Sequence, residues 1–248
     1  MSSPPPVPPV PPGLSGSGVA LAIGAYSIWG LTPIYWKTLA RIPAEEILVS
    51  RVVWTVLLLL LATRLVGGQT EKGALSAPGW GSTVAAALLL ATNWGLFIYA
   101  VQSDQVLATS LGYYINPLAS VLLGMLVLGE RLNVVQGAAV ALAGLGVLGM
   151  TLHAGELPWI SLALAGSFAL YGLIHKLSPR PPLAGLTREM LVLTPLALAA
   201  LASWAAAGDS ALIRAPLGTQ LALTLAGVVT AAPLLLFHAA TRRLPLIA

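Results

Sequence analysis

Charged side chains are scarce in this sequence: Asp, Glu, Lys and Arg together make up 8% of its 248 residues. Soluble domains carry about a quarter, so a water-soluble fold of this length could not cover its surface with so few ions. Hydrophobic residues make up 57%, and lipid is the solvent that such a composition suits. Cysteine is absent, which excludes a disulfide framework and a thiolate metal site. The three histidines are scattered, without metal-ligand spacing. No phosphate-binding glycine loop occurs, so ATP is not the direct energy source. There is no basic stripe for nucleic acid, and no Ser–His or paired-Asp constellation for intramembrane hydrolysis. No cofactor, metal, nucleic-acid partner or enzymatic activity is therefore expected.

What the chain has is long apolar runs. A spanning helix needs roughly 20 mostly apolar residues. Eight stretches qualify: 19–39, 44–65, 81–101, 106–128, 134–151, 157–177, 183–206 and 219–240. Before them, residues 1–18 read MSSPPPVPPVPPGLSGSG, a composition that favours extended or flexible chain with nothing to pack. The predicted fold is an all-α integral membrane protein, a bundle of about eight transmembrane helices. With the N-terminus in the cytoplasm, the inner connections carry Arg64, Lys72, Arg131, Lys176, Arg180, Arg188, Arg242 and Arg243, against Lys37, Arg41 and Arg214 outside. That bias fits the positive-inside rule. The fifth span is rich in small residues, with Gly137 and Ala141 on one face and Ala139 and Ala143 on another. They read as helix-packing positions.

The sequence also resembles itself. At a shift of 140 residues, LFIYAVQSDQVLA (96–108) lies over LFHAATRRLPLIA (236–248). At a shift of 142, AYSIWGL (25–31) lies over SFALYGL (167–173), with Gly30 on Gly172. Two copies of one unit are expected: residues 19–151 with five spans, and residues 157–248 with three. An odd number of spans per unit makes the second copy run with inverted topology, an architecture of secondary transporters with the binding site near the midplane. By this logic two helices are absent from the second unit, and the expectation is a truncated transporter whose uncovered face could favour a homodimer.

Ionisable and hydrogen-bonding groups at membrane depth are functional candidates, because burying them in hydrocarbon is costly. Arg51 lies eight residues after Pro43, about 12 Å along the second helix. It requires a partner on another helix, an anionic substrate group, or a route to the interface. Glu46 lies near the start of the same helix, where the helix dipole also favours a carboxylate. Glu189 follows Arg188 in the seventh span. It turns into the bundle as a candidate for proton coupling if Arg188 snorkels to the interface. His175 and Lys176 lie at a helix end, where snorkelling accounts for them. Proline within a span frees the carbonyl four residues back. Pro33, Pro117, Pro195 and Pro233 do so for Trp29, Tyr113, Leu191 and Val229. Around Pro117, the run Tyr113-Tyr114-Ile115-Asn116 adds two phenols and an amide, and Asn93 and Trp94 add an amide and an indole in the third span. Arg51, Asn93, Tyr113, Tyr114 and Asn116 are expected to line one cavity between the second, third and fourth spans.

Several of these segments carry a family resemblance. AYSIWGLTPIYWK, PAEEILVSRVVW, NWGLFIYAV and SLGYYINPLASVLLGMLVLGERL in the first half, with SFALYGLIHK and GVVTAAPLLLFHAATRRL later, closely resemble the RarD-type permeases of the EamA group, within the drug/metabolite transporter superfamily. The resemblance implies ten helices in two inverted five-helix units and both termini in the cytoplasm. It also implies secondary transport of small organic solutes across the bacterial inner membrane, drugs such as chloramphenicol among them. Its motif positions here are Trp29, Pro33, Glu46, Arg51, Asn93, Trp94, Tyr113, Asn116 and Pro117. The implied partners are a small-molecule substrate and the lipid bilayer. A sensor or assembly scaffold of the membrane, or a transporter inactive for want of its last helices, is the alternative.

Overall fold

The computed structural model describes residues 16–65, 79–154, 157–178 and 180–241. They form nine helices among the described residues: α1 Gly16–Thr38, α2 Ala44–Leu65, α3 Trp80–Gln102, α4 Val106–Leu128, α5 Val134–Ala154, α6 Trp159–Leu177, α7 Pro182–Ala207, the single turn α8 Ala211–Arg214, and α9 Leu217–Thr241. All except α8 are long and apolar enough to cross a membrane, matching the eight stretches expected. The helices alternate in direction. Interhelical contacts confirm it: Lys37 at the end of α1 pairs with Asp104 beyond the end of α3, while Thr63 near the end of α2 faces Thr187 near the start of α7. One face of the bundle therefore holds the α1–α2 and α7–α9 connections, and the opposite face holds the α4–α5 and α6–α7 connections.

Local chemistry sets the helix ends. Pro182 occupies the first position of α7, where a missing N–H costs nothing. Gly129 ends α4 and Gly208 ends α7 at φ 67° and 75°, the left-handed conformation that glycine adopts without strain. Asn133 and Gln136 cap α5 reciprocally, each side chain accepting from the other's backbone N–H at 2.8 and 3.0 Å, which satisfies two orphan donors. The tail expected over residues 1–18 ends sooner. Gly16, Ser17 and Gly18 are helical and Gly18 is buried, because extending an existing helix by a few residues is far cheaper than nucleating one. Residues 1–15 and most of the 236–248 repeat segment lie outside the described residues or side chains.

Helix α3 is central, packing on α2, α6 and α7. Val52, Val56 and Leu59 of α2 meet Ala87, Leu90 and Trp94 of α3, Met190 and Leu193 of α7, and Ala231 of α9 in one apolar cluster. Trp36, Ile47, Ile98 and Leu223 join α1, α2, α3 and α9 in a second cluster nearer the α1–α2 connection. Lipid tails are as apolar as leucine, so close backbone approach supplies much of the packing energy. It is closest at Gly227 of α9, where a Cβ would stand 2.5 Å from the backbone carbonyl carbon of Trp54 in α2. At Gly112 of α4, a Cβ would stand 3.2 Å from Leu164 and from the Ser161 carbonyl of α6.

Helix α5 differs from expectation. It packs on α4, but a Cβ added at Gly137, Gly144, Gly146 or Gly149 would meet nothing within 4 Å. The small-residue faces read as packing positions are thus open among the described residues. A helix in lipid satisfies its own backbone and persists without a neighbour. Gly227→Ala is expected to lower stability by about 1–3 kcal/mol through overpacking, while Gly144→Ala leaves it unchanged within about 0.5 kcal/mol. Thermal unfolding of the purified chain in detergent checks the contrast.

Candidate substrate site

Arg51 is held between two indoles. Its guanidinium carbon lies 3.8 Å from the ring centroid of Trp94 on α3 and 5.2 Å from that of Trp36 on α1. A cation over an indole face is attracted by the ring quadrupole, most strongly where water is excluded. The phenols of Tyr35 on α1 and Tyr113 on α4 lie within electrostatic reach of the same charge. Tyr35 donates to the Ala222 carbonyl of α9, and Tyr113 meets Phe97 edge-on at 6.3 Å. Three helices thus deliver aromatic groups to one half-buried cation.

The cage leaves hydrogen bonds unused. Among the described residues, Arg51 Nε has no hydrogen-bond partner, and neither do the buried Ser50 and Thr55 hydroxyls and the Trp54 indole N–H on the same helix. Ser50 and Trp54 share one helix face, and Arg51 and Thr55 share the next. An aromatic face compensates charge but accepts no in-plane N–H bond from the guanidinium, so this arrangement can still take an acceptor. Chemically it is suited to an acidic group on a partly apolar body.

The other sequence candidates are placed as follows. Trp94 and Tyr113 join Arg51. Asn93 faces the other way on α3, and its amide donates to the Leu164 carbonyl and the Ser167 hydroxyl of α6, both at 3.0 Å. Asn116 accepts from Ser120 at 3.3 Å on its own helix. Ser120 also lines a cavity of about 360 Å³ between α4 and α6, bounded by Gly124, Leu173 and the Glu130–Lys176 ion pair. Tyr114 keeps 73% of its surface exposed. Trp29 packs edge-on against Tyr26 at 5.5 Å, and its carbonyl, freed by Pro33, accepts the Thr32 hydroxyl. Glu46 is buried and accepts from Ser210 Oγ at 3.2 Å and from the Ala211 N–H, which ties α2 to the α7–α9 connection. Pro33, Pro117, Pro195 and Pro233 all lie inside helices.

Sequence reasoning missed Trp36 and Tyr35, whose place near a helix end reads as interfacial anchoring. Arg188 does not snorkel. It is fully buried, with its guanidinium 4.4 Å from the Trp80 ring centroid of α3, since a face of the neighbouring helix offers it an aromatic cover. His175 likewise turns inward to the buried Glu189. Tyr171 and His175 are four residues apart on α6, a spacing that places both on one face and could have revealed the convergence.

The family follows from comparison. The model of the EamA-like transporter family matches residues 16–152. The chain belongs to the EamA-like transporter family. An uncharacterized transporter of Pseudomonas aeruginosa is 45% identical over 231 residues, covering 92% of this chain and 77% of its own length. Protein RarD of Escherichia coli is 41% identical, covering 92% and 78%. A chloramphenicol-sensitive protein RarD of P. aeruginosa is 34% identical, covering 94% and 79%. No solved structure matches the chain. As a RarD-type member of this family, the chain is a multi-pass membrane transporter.

Two substitutions separate fold from site. Glu46→Ala removes a charge-assisted tie and is expected to destabilise by about 1–3 kcal/mol. Asn93→Ala, which loses an interhelical bond pair in lipid, is expected to cost about 1 kcal/mol. Thermal unfolding in a single lipid composition measures both.

Proposed function

We propose that this chain is a secondary transporter of the bacterial inner membrane, which moves small organic solutes by alternating access and binds them at the Arg51 cage. The observation that carries this reading is a half-buried guanidinium held between Trp36 and Trp94 whose buried Nε is unpaired among the described residues. An ion there is expensive unless something uses it. A solute's acidic group would complete the hydrogen bonding, and its apolar body would lie against the indoles and Tyr113. Drugs such as chloramphenicol fall within the size and ring character that such a site accommodates.

Alternating access asks for two units that rock about a site between them. The proposed units are residues 19–151 and 157–248, inverted with respect to one another. A further correspondence supports them: Arg51 follows Pro43 by eight residues and Glu189 follows Pro181 by eight, in helices that start on opposite faces of the bundle. The Lys/Arg bias supports a cytoplasmic N-terminus, an orientation that would put Arg51 toward the outer side and Glu189 toward the inner.

The test uses proteoliposomes and two probes: benzenesulfonate, a permanently ionised aromatic anion, and chloramphenicol, a neutral aromatic. Wild type is expected to move benzenesulfonate. Arg51→Ala should slow that flux at least about tenfold, the equivalent of losing roughly 1.4 kcal/mol of solute binding, with helical content retained. Arg51→Lys keeps the charge and loses the planar fork, so it should recover only part of the flux. If all three chains carry the anion equally, Arg51 is a packing residue and the assignment fails.

A further inference from the structure

A second polar cluster lies near the opposite face of the bundle. Glu189 of α7 is 2% exposed. Its Oε2 accepts from the Tyr171 hydroxyl at 3.0 Å, and its Oε1 lies 2.8 Å from His175 Nε2. Tyr171 and His175 stand in contact on α6, ring centroids 4.5 Å apart. His175 keeps 29% of its side chain exposed, so the cluster runs from a buried carboxylate to an accessible imidazole. Two arginines lie nearby. Arg188 covers Trp80, and Arg180 donates to the Gly79 carbonyl at 3.0 Å and to Ser82 at 3.1 Å. Toward α2 and α9 the facing groups among the described residues are neutral: Thr63, which approaches Thr187, and Leu59 and Ala231 in the apolar cluster around Met190.

We propose that Glu189, His175 and Tyr171 form a proton-binding site that couples solute movement to a proton gradient; this rests on the transport reading above. Without the proton the site holds a carboxylate and a neutral imidazole, a net charge of −1. Taking up one proton completes a neutral carboxylate–imidazolium pair with the proton between His175 Nε2 and Glu189 Oε1, and releasing it restores the anion. Histidine is the side chain whose unperturbed charge change falls between about pH 5 and 8. The neutral pair is far cheaper to carry through a low-dielectric interior than the anion, so protonation selects which arrangement of α6 and α7 is stable. Tyr171 holds the second carboxylate oxygen and fixes the orientation of Glu189. Arg51 and Glu189 then occupy matching places in the two units, one taking the solute and the other the proton.

The test is a proteoliposome assay with the full chain and a trapped pH-sensitive dye. Benzenesulfonate and chloramphenicol are added in turn, and probe flux and luminal pH are recorded together. Neither probe can carry a proton through lipid by changing its own ionisation. Wild type is expected to change luminal pH as the probe moves, with a sign that separates symport from exchange. Glu189→Gln should lower the protons moved per probe at least tenfold, and His175→Gln should match it. Tyr171→Phe should lower the ratio by less, because the ring and the ion pair remain. Circular dichroism confirms that each variant is folded. Should Glu189→Gln not fold, His175→Gln decides. Probe flux with no proton movement in wild type, or an unchanged ratio in both Glu189→Gln and His175→Gln, overturns the proton site and leaves the transport reading standing. A wild-type chain that moves neither probe overturns the transport reading and the coupling with it.

Discussion

Hydrocarbon gives the peptide group no water to bond with, and every other feature of this protein follows from that. Each segment that crosses must close its own backbone hydrogen bonds, which leaves helices as the building unit here. Where proline opens the ladder, another group must answer. Thr32 does so for the carbonyl that Pro33 releases at Trp29. The same requirement explains why α5 is a regular helix though nothing packs against most of its glycines. Its hydrogen bonds are internal, so it needs no neighbour for them.

The same solvent makes each ion costly, and the protein treats its intramembrane charges in three ways. Arg51 and Arg188 lie against indoles, where a quadrupole replaces part of the lost hydration. Glu189 is hydrogen-bonded by a phenol and paired with an imidazole. Glu46 accepts from the start of α8 and so ties α2 to the α7–α9 connection. Among the described residues, the Arg51 group keeps several buried polar atoms without partners between Ser50 and Thr55 of one helix. That sets it apart from Glu46 and Glu189, whose carboxylates are bonded within the fold.

Most of the architecture was legible because hydropathy reports directly on lipid contact. The ends of α2 and α4 coincide with the apolar stretches, and the largest departures come at the start of α1, where glycines and a serine extended the helix, and at the end of α5. The candidate site was legible only in part. Intramembrane Arg51, Trp94 and Tyr113 could be picked from their chemistry, but their company could not. Helical position gives the face a residue occupies and not which helix lies opposite. Asn93 precedes Trp94 by one residue and so turns about 100° away, to bond α6 where its neighbour meets Arg51. Trp36 was hidden because tryptophan near a helix end is also common at the lipid interface. His175 and Arg188 were misread for a related reason: a long or ring side chain near a membrane surface can turn outward or inward, and the deciding partners, Glu189 and Trp80, sit on other helices.

Gly227 abuts the peptide backbone of Trp54, not a side chain that could swing aside. Side chains can exchange rotamers as helices slide, but two backbones in contact act as a registry lock. Helices α2 and α9, with α1 joined to α9 through Tyr35 and Ala222, are therefore held in axial register at this point, where they can tilt but not slide. The seam around α3 is of the other kind, made of side chains: Trp94 meets Arg51, Trp80 meets Arg188 and Asn93 bonds α6.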